Sequence, residues 1–249
     1  TMQRSLLLTL DDLLVRQEAS FRDLFLSRLT YVDAELAGLY GLPQTDGNAL
    51  VPTEWPPEGD RLGLMGHAAI LAVTSHSDST SPTVRGRFIR ERLLCQGVPS
   101  PPPDIPALPG TAAGGPPQTM RQQLEQHRAN PACAGCHVMM DPMGLPLEHY
   151  DAVGAYRDTD RGLPLDVSGE LDGASFAGLP GLAQALAASD RALDCIPIKL
   201  FAYATGRLPA SADTQALAAL RRDFRTGEGR LRALIMALVT SPLFLGASL

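Results

Sequence analysis

Two thiols and an imidazole stand within five residues of one another in "NPACAGCHVMMDPMGLPLEHYDAVG", residues 130 to 154: Cys133, Cys136 and His137. The C-x-x-C-H spacing is the attachment signature of c-type haem, where two thiols add to the haem vinyl groups and the adjacent histidine, carried by the same turn, reaches the iron. Three other chemistries use parts of this pattern. A thioredoxin-type redox pair is also C-x-x-C, but it opens a helix after a strand, and no strand pattern precedes it here. A zinc site takes four ligands, and Cys95 and Cys195 stand alone and far away in the chain. A disulfide between Cys133 and Cys136 leaves His137 without a reason. The pattern favours one covalently bound haem c, with His137 as the proximal iron ligand.

The second axial position decides between an electron carrier and an enzyme. Met139, Met140 and Met143 follow the proximal histidine closely, with Met140 foremost, although residues so near must first travel around the haem edge. His76 in the polar "TSHSDSTSP", together with Met65 and His67 just before it, forms a second group of distal candidates, and an open position is the third option. Haem brings two propionates, which guanidinium groups pair in a planar, two-pronged contact. Arg85, Arg87, Arg90 and Arg92 cluster in one helical segment and Arg157 follows the motif; Arg85 and Arg157 are the anchors singled out, against a solvated helix face. His127 reads as a buried histidine bonded to backbone and His149 as a surface or packing residue. Asp141-Pro142 and Gly144 suit a tight turn after the haem helix. Glu148 and Asp151 read as capping or arginine-pairing groups rather than an acid pair. Cys95 and Cys195 remain, to pair in an oxidising compartment or to stay as two buried thiols.

Several elements must position these groups. Residues 5 to 40 carry Leu13, Leu14, Phe21, Leu24, Phe25, Leu29, Leu36 and Leu39 at roughly three-to-four spacing and read as helical. The segment 43 to 62, rich in Pro, Gly and Asp, reads as a long surface loop carrying the only tryptophan. A short helix over "RLGLMGHAAILAVTS" precedes another over "TSPTVRGRFIRERLLC", with Ser81 near its N-cap and Pro82 in its first turn. "QGVPSPPPDIPALPGTAAGGPPQ", 96 to 118, is a linker or surface-hugging strap, since its prolines lack amide donors. "TMRQQLEQHRAN" is a helix stopping at Asn130-Pro131, and "RGLPLDVSGELDGASFAG" suits a small hairpin or irregular loop. From 179 to 245 the pattern is helical, with Gly206 and Gly227 as stops and Pro197 predicting a kink or a late start.

The fold class is therefore mainly α. The domain reading is a helical region at 1–95, the Pro/Gly-rich linker at 96–118, a c-type haem domain at 119–178 and a C-terminal helical domain at 179–249. At 249 residues, with 45% hydrophobic and 19% charged residues, the chain can bury a substantial core, and its apolar runs are too short for a bilayer span. A net charge of -6 and the lack of any Lys/Arg run argue against a general nucleic-acid binder. No signal peptide is visible, because Asp11 and Asp12 follow the first apolar run, so the start reads as a processed or truncated end.

The stretch "HRANPACAGCHVMMDPMGLPLEHYDAVGAYR" resembles the haem-motif domain of a cytochrome-c-like multidomain family of unknown function from planctomycetes, myxobacteria and other proteobacteria, whose pattern is CxxCH followed by DPxGxxLExxDxxGxxR. "LTYVDAELAGLYGL", "TSPTVRGRFIRERLLCQGVPSPPPDIP", "SGELDGASFAGL", "KLFAYATGRLPASAD" and "LIMALVTSPLF" resemble the flanking parts of those proteins, so the resemblance covers nearly the whole chain. The chain departs from it at Leu145-Pro146, where an aromatic and alanine are common, and at His149-Tyr150, where asparagine and phenylalanine are common. The resemblance implies a secreted or periplasmic redox protein and no particular reaction. It also implies that this chain is a C-terminal portion of a larger chain or complex. The expected function is extracytoplasmic electron transfer to a redox partner protein or another haem subunit. The alternatives are a peroxidase-type or oxygen-activating haem enzyme with an open distal side, and a structural module of a larger redox assembly.

Overall fold

The computed structural model describes residues 1–100 and 116–245. Helix α1 (Met2–Asp11) runs on through a π-helical turn at Asp12–Arg16, and the short α2 (Asp23–Leu26) follows. The chain then leaves helical geometry. Strand β1 (Leu29–Val32) fully buries Thr30 and Val32 and leaves Leu29 and Tyr31 half-buried, a period of two that the three-to-four leucine spacing concealed. Helix α3 (Ala34–Tyr40) is started by the Asp33 carboxylate, which accepts from the Leu36 N–H, and stopped by Gly41 in the left-handed region. Strand β2 (Val51–Glu54) pairs antiparallel with β1, Leu29 facing Glu54 and Val32 facing Val51. The helical reading of 5–40 and the loop reading of 43–62 are both corrected here. Trp55 is 1% exposed, stacked edge-on against Tyr40 and His67 rather than displayed on a surface loop.

A 3-10 turn at Leu64–Gly66 leads into α4 (Ala68–Val73). Helix α5 (Pro82–Phe88) begins where the Ser81 hydroxyl accepts from the Val84 N–H and Pro82 fills the first turn, and it continues as a π-helical turn over Ile89–Leu93. The strap expected at 96–118 lies mostly outside the described residues. Helix α6 (Met120–Arg128) opens on a reciprocal Thr119–Gln122 capping box, and α7 (Pro131–Gly144) on the Asn130 side chain, which accepts from the Ala132 N–H.

Two small hairpins follow, β3 (Thr159–Asp160) with β4 (Leu163–Pro164) and β5 (Ser168–Leu171) with β6 (Ala174–Ala177). The C-terminal part is helical: α8 (Gly178–Ala188), α9 (Asp190–Thr205), α10 (Thr214–Thr226), α11 (Leu231–Val239) and α12 (Pro242–Leu245). The Ser189 hydroxyl caps α9 at the Ala192 N–H, so the helix starts well upstream of Pro197 and runs through it; the late start does not occur. The mainly α class read from the sequence is the observed one.

Leu71, Ile89, Leu147, Leu179 and Leu182 belong to the main core, and Phe201, Leu217, Leu220, Phe224 and Leu234 to a second one among α9–α11. A disulfide joins Cys95, at the end of the helical run from α5, to Cys195 on α9. Among the described residues no helix is long and apolar enough to cross a membrane.

Candidate functional site

The site is built on the crossing of α5 and α7. A Cβ at Gly86 would stand 1.9 Å from the Met140 carbonyl oxygen, and one at Gly144 would stand 1.8 Å from that of Pro82, so the two backbones touch only because both positions are glycine. Contact at this depth carries Thr83, one turn before Gly86, onto the face of α7 that holds His137 and Asp141. Asp141-Pro142 and Gly144 do not form the tight turn expected of them. They complete the last turn of α7, and Pro142 lies inside the helix.

Cys133, Cys136 and His137 line one cleft of about 200 Å³, with Thr83, Val84 and Arg87 from α5, His127 from α6, Met140 from α7, and Val98 and Pro99 from the segment beyond Cys95. Both cysteines are free and half-buried. The walls are mostly apolar. A cleft this size falls below the roughly 300–1,000 Å³ of sites that enclose a small molecule, so it suits the edge of a larger planar group.

His137 is held from behind. Its Nδ1 lies 3.2 and 3.1 Å from Oδ1 and Oδ2 of Asp141, a carboxylate with no solvent exposure one helical turn further on. The Thr83 hydroxyl donates to Asp141 Oδ1 at 2.9 Å and stands 3.4 Å from His137 Nδ1. With Nδ1 engaged, Nε2 is the nitrogen left for a metal. Two thiols at C-x-x-C spacing, an oriented imidazole and apolar walls fit a covalently attached haem. They do not fit a four-ligand zinc site that borrows the remaining cysteines, because those are bonded to each other.

Of the distal candidates, Met140 lines the cleft, from the same helix as His137 and one turn on. Met65 is packed in the main core, and His76 sits on an exposed turn where its backbone N–H donates to the Ser79 carbonyl. His67 is buried against Trp55. His127, read from the sequence as a buried backbone-bonded residue, is half-buried with its ring 4.7 Å from that of His137. Burial, and then the charge of His137, lowers its pKa, with Asp141 opposing. His149 is half-buried, 3.7 Å from Asp60 and edge-on to Tyr156.

Neither Arg85 nor Arg157 lines the cleft. Arg85 is fully buried: Nη1 donates to the carbonyls of Leu147 and Tyr150 and lies 3.4 Å from Glu148 Oε1, while Nη2 donates to Ser75 Oγ and the Asp151 carbonyl. Burial holds its pKa down at about 10, so it stays charged at neutral pH. Arg157 donates to Glu148 Oε2 and Asp160 Oδ1 at 3.0 Å each. The arginine that does reach the cleft is Arg87, paired with Glu91 at 2.9 Å. Sequence reasoning named Arg87 within the arginine cluster but singled out Arg85 instead; it missed Thr83 and the role of Asp141, and for Asp141 the i,i+4 spacing from His137 was the available signal.

Residues 61–160 match a family model described as a protein of unknown function (DUF1588), and residues 172–244 match a second with the same description (DUF1585). Both describe domains of a cytochrome-c-associated, multidomain family of bacterial proteins. The first match contains the whole α5–α7 crossing and the cleft cysteines; the second contains α8 to α11. No curated protein and no solved structure matches the chain.

Proposed function

We propose that the chain is a c-type cytochrome that transfers electrons outside the cytoplasm through one covalently bound haem. The observation that carries this reading is the convergence of Cys133, Cys136 and an oriented His137 on one apolar cleft. When bound, haem supplies a one-electron ferric–ferrous couple. Cys133 and Cys136 would tether the ring edge. His137 would hold the iron through Nε2 while Asp141 retains the proton on Nδ1. Val84, Val98, Pro99 and Met140 line the cleft and would make the surroundings of the bound group apolar, one of the factors that set its potential. Arg87 is the cation available to a propionate.

The resemblance of the motif to CxxCH followed by DPxGxxLExxDxxGxxR supports this reading, and the Cys95–Cys195 disulfide supports a periplasmic or extracellular location. The partner is another redox protein or another haem subunit of a larger assembly.

A second reading, a haem enzyme with an open distal position, is favoured by one observation. Met140 and His137 lie one turn apart on α7 and approach the cleft from the same side, so Met140 is badly placed to ligate opposite His137. The test is a pyridine haemochrome assay with spectra of the oxidised and reduced protein, then carbon monoxide added to the reduced form. A c-type haemochrome with a low-spin spectrum unmoved by carbon monoxide supports the carrier. Ready carbon monoxide binding supports the enzyme, and no haemochrome in protein matured in an oxidising compartment sinks both.

A further inference from the structure

Asp141 is a fully buried carboxylate. Both of its oxygens lie within 3.2 Å of His137 Nδ1, and the Thr83 hydroxyl from α5 donates to Oδ1. From α6, Arg128 Nε approaches Oδ2 only to 4.0 Å and His127 packs edge-on against the His137 ring. Elements on three sides thus converge on one carboxylate–imidazole pair, and its position depends on the glycine-only crossing of α5 and α7.

We propose that Asp141 is a positioning residue that holds His137 as the Nδ1–H tautomer and lowers the reduction potential of the iron ligated at Nε2. The proposal rests on the haem reading given above. A carboxylate acceptor makes the imidazole a stronger donor than a neutral acceptor would, and its negative charge lies a single imidazole away from the metal in a region shielded from water. Both effects favour ferric over ferrous iron. The step concerned takes one electron from a redox partner, reduces ferric to ferrous iron and leaves the proton on Nδ1. No bond is made or broken.

The test compares wild type, Asp141→Asn and Thr83→Val as full-length, haem-loaded chains. Asp141→Asn keeps the shape and removes the charge. The midpoint potential is read by spectroelectrochemical titration and, where the reduced iron is five-coordinate, the iron–histidine stretch by resonance Raman. The expected result for Asp141→Asn is a shift of about tenfold or more toward ferrous iron, roughly 59 mV for one electron, with the iron–histidine band moved to lower frequency. Thr83→Val, which removes a donor from the carboxylate and so makes it a stronger acceptor for His137, shifts both in the opposite direction and by less. If Asp141→Asn takes up no haem, Thr83→Val decides by that opposite shift. In the haem-free chain, nitrogen-15 shifts of His137 report the Nδ1–H tautomer, and Asp141→Ala moves them toward a mixture of both tautomers. A wild-type chain with no haemochrome defeats the haem reading itself. A haemochrome with potential and band unmoved in both variants overturns this inference alone.

Discussion

Gly86 and Gly144 lie against each other's helices so closely that a methyl group on either would enter the carbonyl of the other, Met140 at 1.9 Å and Pro82 at 1.8 Å. Backbone cannot swing aside as a side-chain tip can, so Gly86→Ala must separate α5 from α7. The expected cost is about 3 kcal/mol, the upper end of overpacking penalties. For a chain of this size that lowers Tm by roughly 6–12 °C, readable by circular dichroism. Thr83 retreats from Asp141 at the same time, so the yield of attached haem falls together with Tm. A variant of unchanged Tm contradicts the crossing.

His67 governs acid sensitivity. Burial, with the charge of Arg61 adding to it, holds its pKa down at about 3, and its Nδ1 has no partner. The folded chain therefore keeps it neutral while the unfolded chain protonates it near its ordinary value of about 6.5. Its contribution to stability is complete above that value and is lost as the pH falls toward 3, at about 1.4 kcal/mol per pH unit. Urea unfolding of the wild type at pH 7 and pH 5 should differ by about 2 kcal/mol from this residue. His67→Phe, which retains the ring against Trp55, should remove that difference; an identical pH slope in both proteins rules out the assignment.

Cys95 and Cys195 close a loop across a sequence separation of 100 residues. Cross-links of this reach typically contribute about 2–5 kcal/mol. The double variant Cys95→Ser, Cys195→Ser should lose that much in guanidinium unfolding. Haem-free wild type, unfolded without reductant, should label with a thiol reagent at Cys133 and Cys136 only.

Glu148 is 1% exposed and answers two guanidinium groups, Arg85 at 3.4 Å and Arg157 at 3.0 Å, while Thr80 donates to it at 2.8 Å. Glu148→Gln strands the charge of Arg85 in the interior, at an expected cost of about 3–5 kcal/mol. The exposed pair of Arg16 with Asp11 serves as a control, and breaking it should cost less than about 1 kcal/mol. Similar losses from the two variants would show that the Glu148 cluster is not a desolvated network.

Much of the candidate site was legible because its signals are local. Asn130-Pro131 marks the start of α7, Ser81-Pro82 the start of α5, and the thiol and imidazole spacing needs no tertiary information. What was illegible depends on packing. Arg85 and Arg87 are two residues apart on one helix, about 200° around its axis, and only the crossing with α7 sends the first into the core and the second to the cleft. Asp141 was read through its proline as a turn, yet α7 carries Pro142 in its last turn and leaves the carboxylate for His137. Leu29 fitted a helical leucine spacing, and the strand it opens became visible only through its pairing with residues 19 to 25 positions away.

The placement of the four cysteines has a consequence for how the molecule matures. Four thiols can pair in three ways. Here Cys95 and Cys195 are joined across the body of the protein, while Cys133 and Cys136 share a helix at the cleft. The folded chain thereby sorts its sulfur atoms into two stocks, one consumed by oxidation and one kept back. Under the proposed haem reading, bridge closure would come first without depleting the pair at the cleft, and haem attachment would then meet a chain whose C-terminal helices are already fastened in place.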